Sequence, residues 1–196
     1  MLYDMDFREI IMENRSYRRF HEQQPVPDEV LKELVNCARL SASSGNIQGL
    51  KFYLSAEPAK NNLIFTSLRW AYYLREWDGP ASGERPSAYI ILLGDTDIHK
   101  TIDVDVGIAA QSIMLAAVSM GYGGCMIGSI DRVSLRKQLE IPDRFEIPLV
   151  IALGKPREKV VIEILGEEGN IEYWRDEYQV HHVPKRKLEE LIIYTF

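Results

Sequence analysis

The chain has few cysteines, no excess of positive charge and no long hydrophobic run, and each absence excludes a class of protein. Its two cysteines, Cys37 and Cys125, form neither a CxxC pair nor a zinc-binding spacing, so we expect no metal site and a reducing compartment. The formal net charge of −6 argues against a nucleic-acid partner, because nucleic-acid-binding domains usually carry a basic face. No apolar run is long enough to cross a membrane, and the acidic start of the chain lacks the apolar core of a secretion signal. We therefore expect a cytoplasmic protein.

The residues that are present predict a single domain of helices and strands. The chain has 196 residues, of which 46% are hydrophobic and 27% charged, as is ordinary for a globular protein. Apolar spacing predicts helices over 6–14, 28–40, 60–77, 104–120 and 134–140, and strands over 50–56, 89–93, 125–127 and 148–154. This pattern is also compatible with a parallel α/β sheet. The segment after Lys155 is polar and irregular, with helical character again over 188–193, and we expect 155–196 to be an extension that wraps a partner subunit.

Two basic clusters have the chemistry to hold a phosphate. The first, Arg15–Phe20, reads Arg-Ser-Tyr-Arg-Arg-Phe and follows the first helix. Guanidinium groups beside a hydroxyl bind phosphate through charge-assisted hydrogen bonds. A solvated charge cluster is the alternative, and the isolated pattern favours it. The second cluster, Lys185–Lys187, either completes the phosphate site or begins a solvated helix.

A polar loop and a glycine-rich strand are further candidates for binding. Ser43, Ser44, Asn46 and Gln48 offer paired donors and acceptors that match a ring edge or a sugar, although a polar turn is the commoner meaning of such a loop. Gly121–Gly128 fails the GxGxxG pattern, because Met126 stands where the third glycine belongs. Its backbone either faces a flat ring or forms a helix C-cap and a closely packed strand, and both remain open.

No set of side chains in the sequence forms a recognisable catalytic group. Ser134 and Lys137 match an SxxK pattern, but its companion motifs are missing and an amphipathic helix explains the pair. His181 and His182 have no carboxylate or cysteine at a suitable spacing, so we expect no metal there. A protein with a cofactor cradle and no catalytic side chain leaves the chemistry to the cofactor.

In their order and spacing these motifs resemble the nitroreductase (FMN-dependent oxidoreductase) family over nearly the whole chain. Arg15–Phe20 resembles the family's Arg-Ser-x-Arg-x-Phe, and Ser43–Gln48 resembles its Ser-x-x-Asn-x-Gln. Asp105–Gln111 resembles its long central helix, and Gly121–Gly128 resembles its Gly-x-Gly-x-Cys-x-Ile-Gly strand. The chain departs from the family after Gln48, where members often continue with Pro-Trp.

The resemblance implies an α+β fold, namely a three-layer α-β-α sandwich with a mixed, mainly antiparallel sheet in an intertwined homodimer. Residues 1–196 would be one FMN-binding domain, with two FMN sites at the dimer interface. It implies FMN as cofactor, NADH or NADPH as electron donor, and a small-molecule acceptor such as a nitroaromatic or a quinone, reduced through flavin N5 by a ping-pong mechanism. Alternatives on the same fold are flavin breakdown, reductive dehalogenation or a non-catalytic flavin-binding protein.

The resemblance also implies roles for the basic clusters and the polar loop. Arg15 and Ser16 would bind the phosphate together with the Lys185–Lys187 cluster. Arg18 would reach the pyrimidine side of the flavin, and Asn46 would meet the ring edge with Ser44 nearby.

The glycine-rich strand and two variable segments complete the implied site. The backbone at Ile127 and Gly128 would lie close to flavin N5, while 70–85 and 173–177 would define the substrate pocket. The full predicted cofactor-binding set is Arg15, Ser16, Tyr17, Arg18, Ser43, Ser44, Asn46, Gln48, Gly124, Ile127, Gly128, Lys185, Arg186 and Lys187, with no metal ligand.

Overall fold

A four-stranded antiparallel sheet forms the centre of the computed structural model, which describes residues 6–194. Residues 1–5 and 195–196 of the predicted domain lie outside the described residues. The strands are β1 (Leu50–Ser55), β2 (Ala88–Asp95), β3 (Gly123–Ile127) and β4 (Phe145–Gly154). Their order in the sheet is β1-β2-β4-β3, so β1 and β3 form opposite edges.

Helices cover both faces of this sheet. They are α1 (Phe7–Glu13), α2 (Asp28–Leu40), α3 (Pro58–Thr66), α4 (Asp103–Ser119) and α5 (Arg132–Leu139). Helices α2 and α4 pack together on one face, whereas α3 and α5 pack together on the other. Short 3-10 turns occur at Ser44–Asn46 and Leu188–Glu190.

Strand β2 divides the interior into two cores. Successive side chains of a strand point to opposite faces, so Ile90 and Leu92 pack with α2 and α4, whereas Tyr89, Ile91 and Leu93 pack on the side of α3 and α5. Every residue of β2 is buried, as its continuous apolar run predicts. The predicted α+β sandwich with helices on both faces is confirmed.

The segment after β4 folds differently from its prediction as an irregular tail. It forms a small sheet of β5 (Val160–Ile164), β6 (Trp174–Arg175) and β7 (His181–Lys185), in the order β5-β7-β6. Strands β5 and β7 are parallel, whereas all three strand pairs of the central sheet are antiparallel. The sequence pattern missed these strands because they are short and only half buried. The wrapping of a partner by 155–196 remains a prediction.

The predicted helix over 60–77 ends early, at Thr66. Leu68 forms a β-bridge with Ile130, and the backbone nitrogen of Arg69 donates to the carbonyl oxygen of Ser129 at 3.0 Å. The backbone nitrogen of Asp131 donates in turn to the carbonyl oxygen of Ser67 at 2.8 Å. These tertiary hydrogen bonds replace the helical ones, so local propensity was overridden.

We expect Gly124→Ala to destabilise the protein by about 1–3 kcal/mol through overpacking. An added Cβ would lie 2.6 Å from the carbonyl oxygen of Ala152 and 2.9 Å from Sδ of Met114. Gly128→Ala is the matched control, since nothing lies within 4 Å of its added Cβ, and it should change stability by less than about 0.5 kcal/mol. Urea unfolding measures both, and equal stability of the two variants would contradict the packing of β3.

His182 links the strands of the small sheet through two carboxylates. Its Nδ1 lies 2.5 Å from Oε1 of Glu163, its Nε2 lies 3.3 Å from Oδ2 of Asp176, and its ring stacks on Trp174 with centroids 4.0 Å apart. Burial alone would lower the pKa of His182, but the hydrogen bonds to the two carboxylates outweigh it and raise the pKa. Glu163 and Asp176 lie 19 and 6 residues before His182 in the sequence, and the small sheet brings both carboxylates to its ring.

This arrangement predicts a pH-dependent contribution of His182 to stability. Because the pKa is higher in the folded than in the unfolded protein, the contribution is complete below the unfolded value of about 6.5 and is lost as pH rises through the folded value. The difference in melting temperature between the protein and His182→Gln should therefore shrink between mildly acidic and alkaline pH. A folded pKa at or below 6.5, measured by NMR titration, would contradict this account.

Candidate functional site

The Arg-Ser cluster lies against the edge strand β3. Ser16 forms a parallel bridge with Gly124, and the backbone nitrogen of Tyr17 donates to the carbonyl oxygen of Gly124 at 2.9 Å. Tyr17 is buried and its hydroxyl donates to the carbonyl oxygen of Glu13 at 3.0 Å, which gives it a structural role. The structure thus brings four predicted residues together: Ser16, Tyr17, Arg18 and Gly124.

Arg18 is buried and held from several sides by the chain itself. Its Nη1 lies 3.0 Å from Nε2 of His181 and 3.3 Å from the carbonyl oxygen of Ser16, and its guanidinium lies over the ring of Tyr173 at 4.6 Å from the centroid. The backbone nitrogen of Arg18 donates to Glu158. Within residues 6–194, its Nε and Nη2 have no hydrogen-bond partner. These nitrogens remain free to donate to a ligand.

A cavity of about 170 Å³ borders Arg18. Its walls are residues 125–129, residues 69–72, Arg18 and Tyr173, so it includes the predicted Ile127 and Gly128. Pockets that enclose a whole small molecule usually measure about 300–1,000 Å³. The cavity is therefore one part of a site for a cofactor of that size.

Arg15 is also suited to an anion. Its Nη2 donates to the carbonyl oxygen of Ile11 at 2.8 Å, and its buried Nε has no partner among the described residues. Burial lowers the pKa of Arg15, partly offset by Tyr17 and Glu13, and the group stays charged because arginine is not deprotonated in proteins. A charged donor with an unfilled hydrogen bond fits a phosphate better than it fits a packed interior.

The second basic cluster stands at the end of β7. Lys185, Arg186 and Lys187 are exposed, and Arg186 pairs with Glu190 at 3.6 Å. Strand β7 starts beside Arg18 at His181 and extends for about 13 Å to Lys185, at about 3.3 Å per residue. Their contact with the phosphate remains a prediction for an assembled protein.

The polar loop is anchored on α4 by Asp105, an anchoring role that the sequence analysis missed. The hydroxyl of Ser43 donates to Oδ2 of Asp105 at 2.7 Å, and the backbone nitrogen of Ser44 donates to Oδ1 at 2.8 Å. Burial would raise the pKa of this carboxyl, but the hydrogen bonds from Ser43 and Ser44 outweigh it and lower the pKa. Asp105 is therefore ionised and fixes the loop.

The amides of the loop face solvent. Asn46 and Gln48 are exposed and both have left-handed backbone, with φ of +56° and +58°. The backbone nitrogen of Gln48 donates to the Ser43 hydroxyl at 3.0 Å, which closes the loop. A cavity of about 280 Å³ lies beneath it, between α2, β1 and Asp105. Nε2 of Gln48 donates to the carbonyl oxygen of Asn46 at 3.2 Å, so part of the polar loop is satisfied by the loop itself.

The two halves of the predicted site lie at opposite edges of the sheet. The loop containing Asn46 leads into β1, whereas Ser16 and Arg18 lie on β3, with β2 and β4 between them. Three strand spacings separate the edges by about 14 Å, at about 4.8 Å each. One chain therefore contains two half-sites that it does not bring together.

The described part of the chain has neither a metal-binding cluster nor a membrane-spanning helix. Residues 6–194 contain no group of three or more histidine, cysteine or acidic side chains that could hold a metal ion. Among the helices described, none is both long and apolar enough to cross a membrane.

Comparison with known proteins identifies the family. The model of the Nitroreductase family matches residues 11–155, well over half of the chain. The chain belongs to the nitroreductase family. The FMN reductase (NADPH) of Bacillus subtilis is 28% identical over 168 residues, covering 76% of this chain and 65% of that protein. The NADPH-flavin oxidoreductase of Vibrio harveyi is 26% identical over 165 residues, with the same coverages of 76% and 65%.

Solved structures of the family share the fold. A nitroreductase family protein from Clostridium difficile 630 superposes with a TM-score of 0.69 at 20% identity, covering 98% of this chain and 99% of that one. A nitroreductase family protein from Clostridium novyi NT gives 0.65 at 20% identity, covering 78% and 88%. The chain spans between 59% and 65% of the length of curated relatives that it matches.

Several residues at the site lie beyond the family match at 11–155 and outside the predicted cofactor-binding set. Tyr173 and His181 contact Arg18, and Glu158 accepts from its backbone. In the sequence His181 was considered only as a metal ligand and rejected, and Tyr173 belonged to the segment 173–177 that was expected to define the substrate pocket. Their contacts depend on the folding of the C-terminal sheet, for which the sequence offered no signal strong enough.

We expect Asp105→Asn to destabilise the protein by about 1.5–3 kcal/mol, the usual range for hydrogen bonds to a charged group. Asp103→Asn, exposed in the first turn of the same helix, is the control and should lose at most about 1 kcal/mol. Because the folded pKa of Asp105 is lowered, its contribution is present above the unfolded value of about 3.9 and disappears as pH falls through the folded value. Chemical unfolding as a function of pH measures this, and equal losses in both variants would contradict the anchoring role.

Proposed function

We propose that this protein is an FMN-dependent oxidoreductase that passes hydride from NADH or NADPH to an oxidised small-molecule acceptor. The observation that carries the proposal is Arg18, which is fixed at a cavity beside Ile127 and Gly128 and keeps two nitrogens free to donate. Relatives named NADPH-flavin oxidoreductase and FMN reductase (NADPH) support the same chemistry. A solved structure named FMN-dependent nitroreductase, from Clostridium difficile R20291, shares the fold with a TM-score of 0.63.

The side chains at the site match the phosphate and the pyrimidine edge of FMN in charge and hydrogen bonding. FMN, when bound, supplies the hydride chemistry. Arg15 and Ser16 offer a guanidinium and a hydroxyl to its phosphate, and Arg18 offers N–H groups to its pyrimidine edge. The charge of Arg18 favours negative charge on the reduced ring and so raises its potential.

We further propose a homodimer in which each site combines the Arg15–Arg18 segment of one copy with the 43–48 loop of the other. The separation of the half-sites by the width of the sheet supports this arrangement, because a second copy can bring its 43–48 loop to the Arg15–Arg18 segment. Exposed apolar side chains support an interface between copies: Val104 on α4 is 65% exposed and Ile193 after β7 is 85% exposed.

Purified protein titrated with FMN tests the cofactor and the redox chemistry together. We expect a yellow complex of two chains with two FMN, whose flavin absorption is bleached by NADH or NADPH without oxygen. Arg18→Ala should bind FMN about 10- to 100-fold more weakly, since hydrogen bonds to charged groups contribute about 1.5–3 kcal/mol. Lys137→Ala, which removes an exposed cation from α5, should leave the affinity unchanged.

Three outcomes would contradict the proposal at different points. Protein that remains colourless with excess FMN would show that FMN is not its cofactor. Bound FMN that neither NADH nor NADPH reduces would make this a flavin-binding protein without turnover. A monomeric FMN complex at the concentrations used for titration would contradict a site formed by two copies of the chain.

A further inference from the structure

His181 is a buried histidine whose ring meets the guanidinium of Arg18. Only 1% of the residue is exposed, and its Nε2 lies 3.0 Å from Nη1 of Arg18. The ring of Tyr173 packs against it with centroids 5.1 Å apart. Arg18 lies within the family match at 11–155, whereas His181 lies beyond it, so the family model does not cover this contact.

The direction of this hydrogen bond is fixed by chemistry. Arginine carries only donors, so Nη1 of Arg18 must donate and Nε2 of His181 must accept. The ring proton is therefore on Nδ1, which is buried and has no partner among the described residues. Burial, followed by the charges of Arg18 and Arg175, lowers the pKa of His181 to about 3, so the ring stays a neutral acceptor at physiological pH.

The contact limits how the guanidinium can turn. Nη1 of Arg18 is shared between His181 and the carbonyl oxygen of Ser16, and Tyr173 lies against the guanidinium plane. Glu158 holds the backbone of Arg18 and is itself held by Arg175 at 2.9 Å. With Nη1 occupied, Nε and Nη2 are the donors left to Arg18, a residue that lines the cavity. The unpaired Nδ1–H is a cost to folding that an apolar residue at this position would avoid.

We propose that His181 is a positioning residue that orients Arg18 so that its free nitrogens donate to the pyrimidine edge of FMN, which raises the reduction potential of the bound flavin. This inference rests on the proposed FMN function. It assigns a role to the C-terminal sheet, since β7 carries the acceptor that sets the orientation.

The test compares His181→Leu, which removes the acceptor, with His181→Gln, whose side-chain oxygen can replace it. We expect the His181→Leu protein to bind reduced FMN over oxidised FMN with about tenfold less preference. The reduction potential of the bound flavin should then fall by about 30 mV for a two-electron couple. His181→Gln should recover most of this loss. His182→Gln is the matched control on the same strand, because His182 contacts Glu163 and Asp176 and not Arg18, and its potential should equal that of the unmodified protein.

A double variant separates positioning from a general structural effect. In an Arg18→Ala background, His181→Leu should no longer change the potential, because it acts through Arg18. If His181→Leu does not fold, His181→Met serves in its place, since methionine is a much weaker acceptor of comparable size.

Each outcome decides between the alternatives. A lower melting temperature of the FMN-free variant with an unchanged potential and FMN affinity would make His181 a packing residue and overturn the inference alone. A shift of the potential that persists without Arg18 would also overturn it. Failure of the unmodified protein to take up FMN would overturn the proposed function and this inference together.

Discussion

The strand order β1-β2-β4-β3 is the constraint on which the account of this protein depends. It places the polar loop before β1 and the Arg-Ser segment beside β3 at opposite edges of one sheet. Both half-sites are built within one chain: Asp105 anchors the loop, and the backbone of Gly124 anchors the segment. Their separation supports the proposed homodimer, in which a second copy supplies one of the two half-sites.

The C-terminal segment supplies residues that contact and hold Arg18. It brings Tyr173 and His181 against Arg18, while Glu158 accepts from the backbone of both Arg18 and Arg19. The contacts with Tyr173 and His181 hold the guanidinium of Arg18 in place without neutralising its charge, because neither side chain is negatively charged at neutral pH. Glu158, the nearby anion, is occupied by backbone donors and by Arg175. The positive charge of Arg18 therefore remains available to a ligand in the adjoining cavity.

Much of the central layer could be predicted from the sequence. The run at 89–93 and the run at 148–154 are continuously apolar, as strands buried on both faces must be, and the helix over 104–120 was recognised from its small and apolar residues. The end of α3 at Thr66 could not be predicted, because the bridge between Leu68 and Ile130 depends on chain folding far away in sequence.

The site was predicted less completely than the fold. Short motifs singled out Ser16, Arg18 and Gly128, which the structure places along β3 and at its end, and their binding roles stay predictions. They did not reveal Asp105 as the anchor of the loop or His181 as the partner of Arg18, since both roles arise from tertiary contacts. The contact of the Lys185–Lys187 cluster with a phosphate stays a prediction, since the cluster is exposed at the end of β7.

The most direct test of the shared site is complementation between two defective variants. One carries Arg15→Ala and Arg18→Ala, and the other carries Asn46→Asp and Gln48→Glu, which keep the shape of the loop but replace its amide donors. Each variant alone should bind FMN weakly. Unfolded together and refolded, they should regain one tight FMN site in every mixed dimer, because one of its two sites then contains only unmodified residues. A mixture that binds no more FMN than the two variants measured separately would contradict the account.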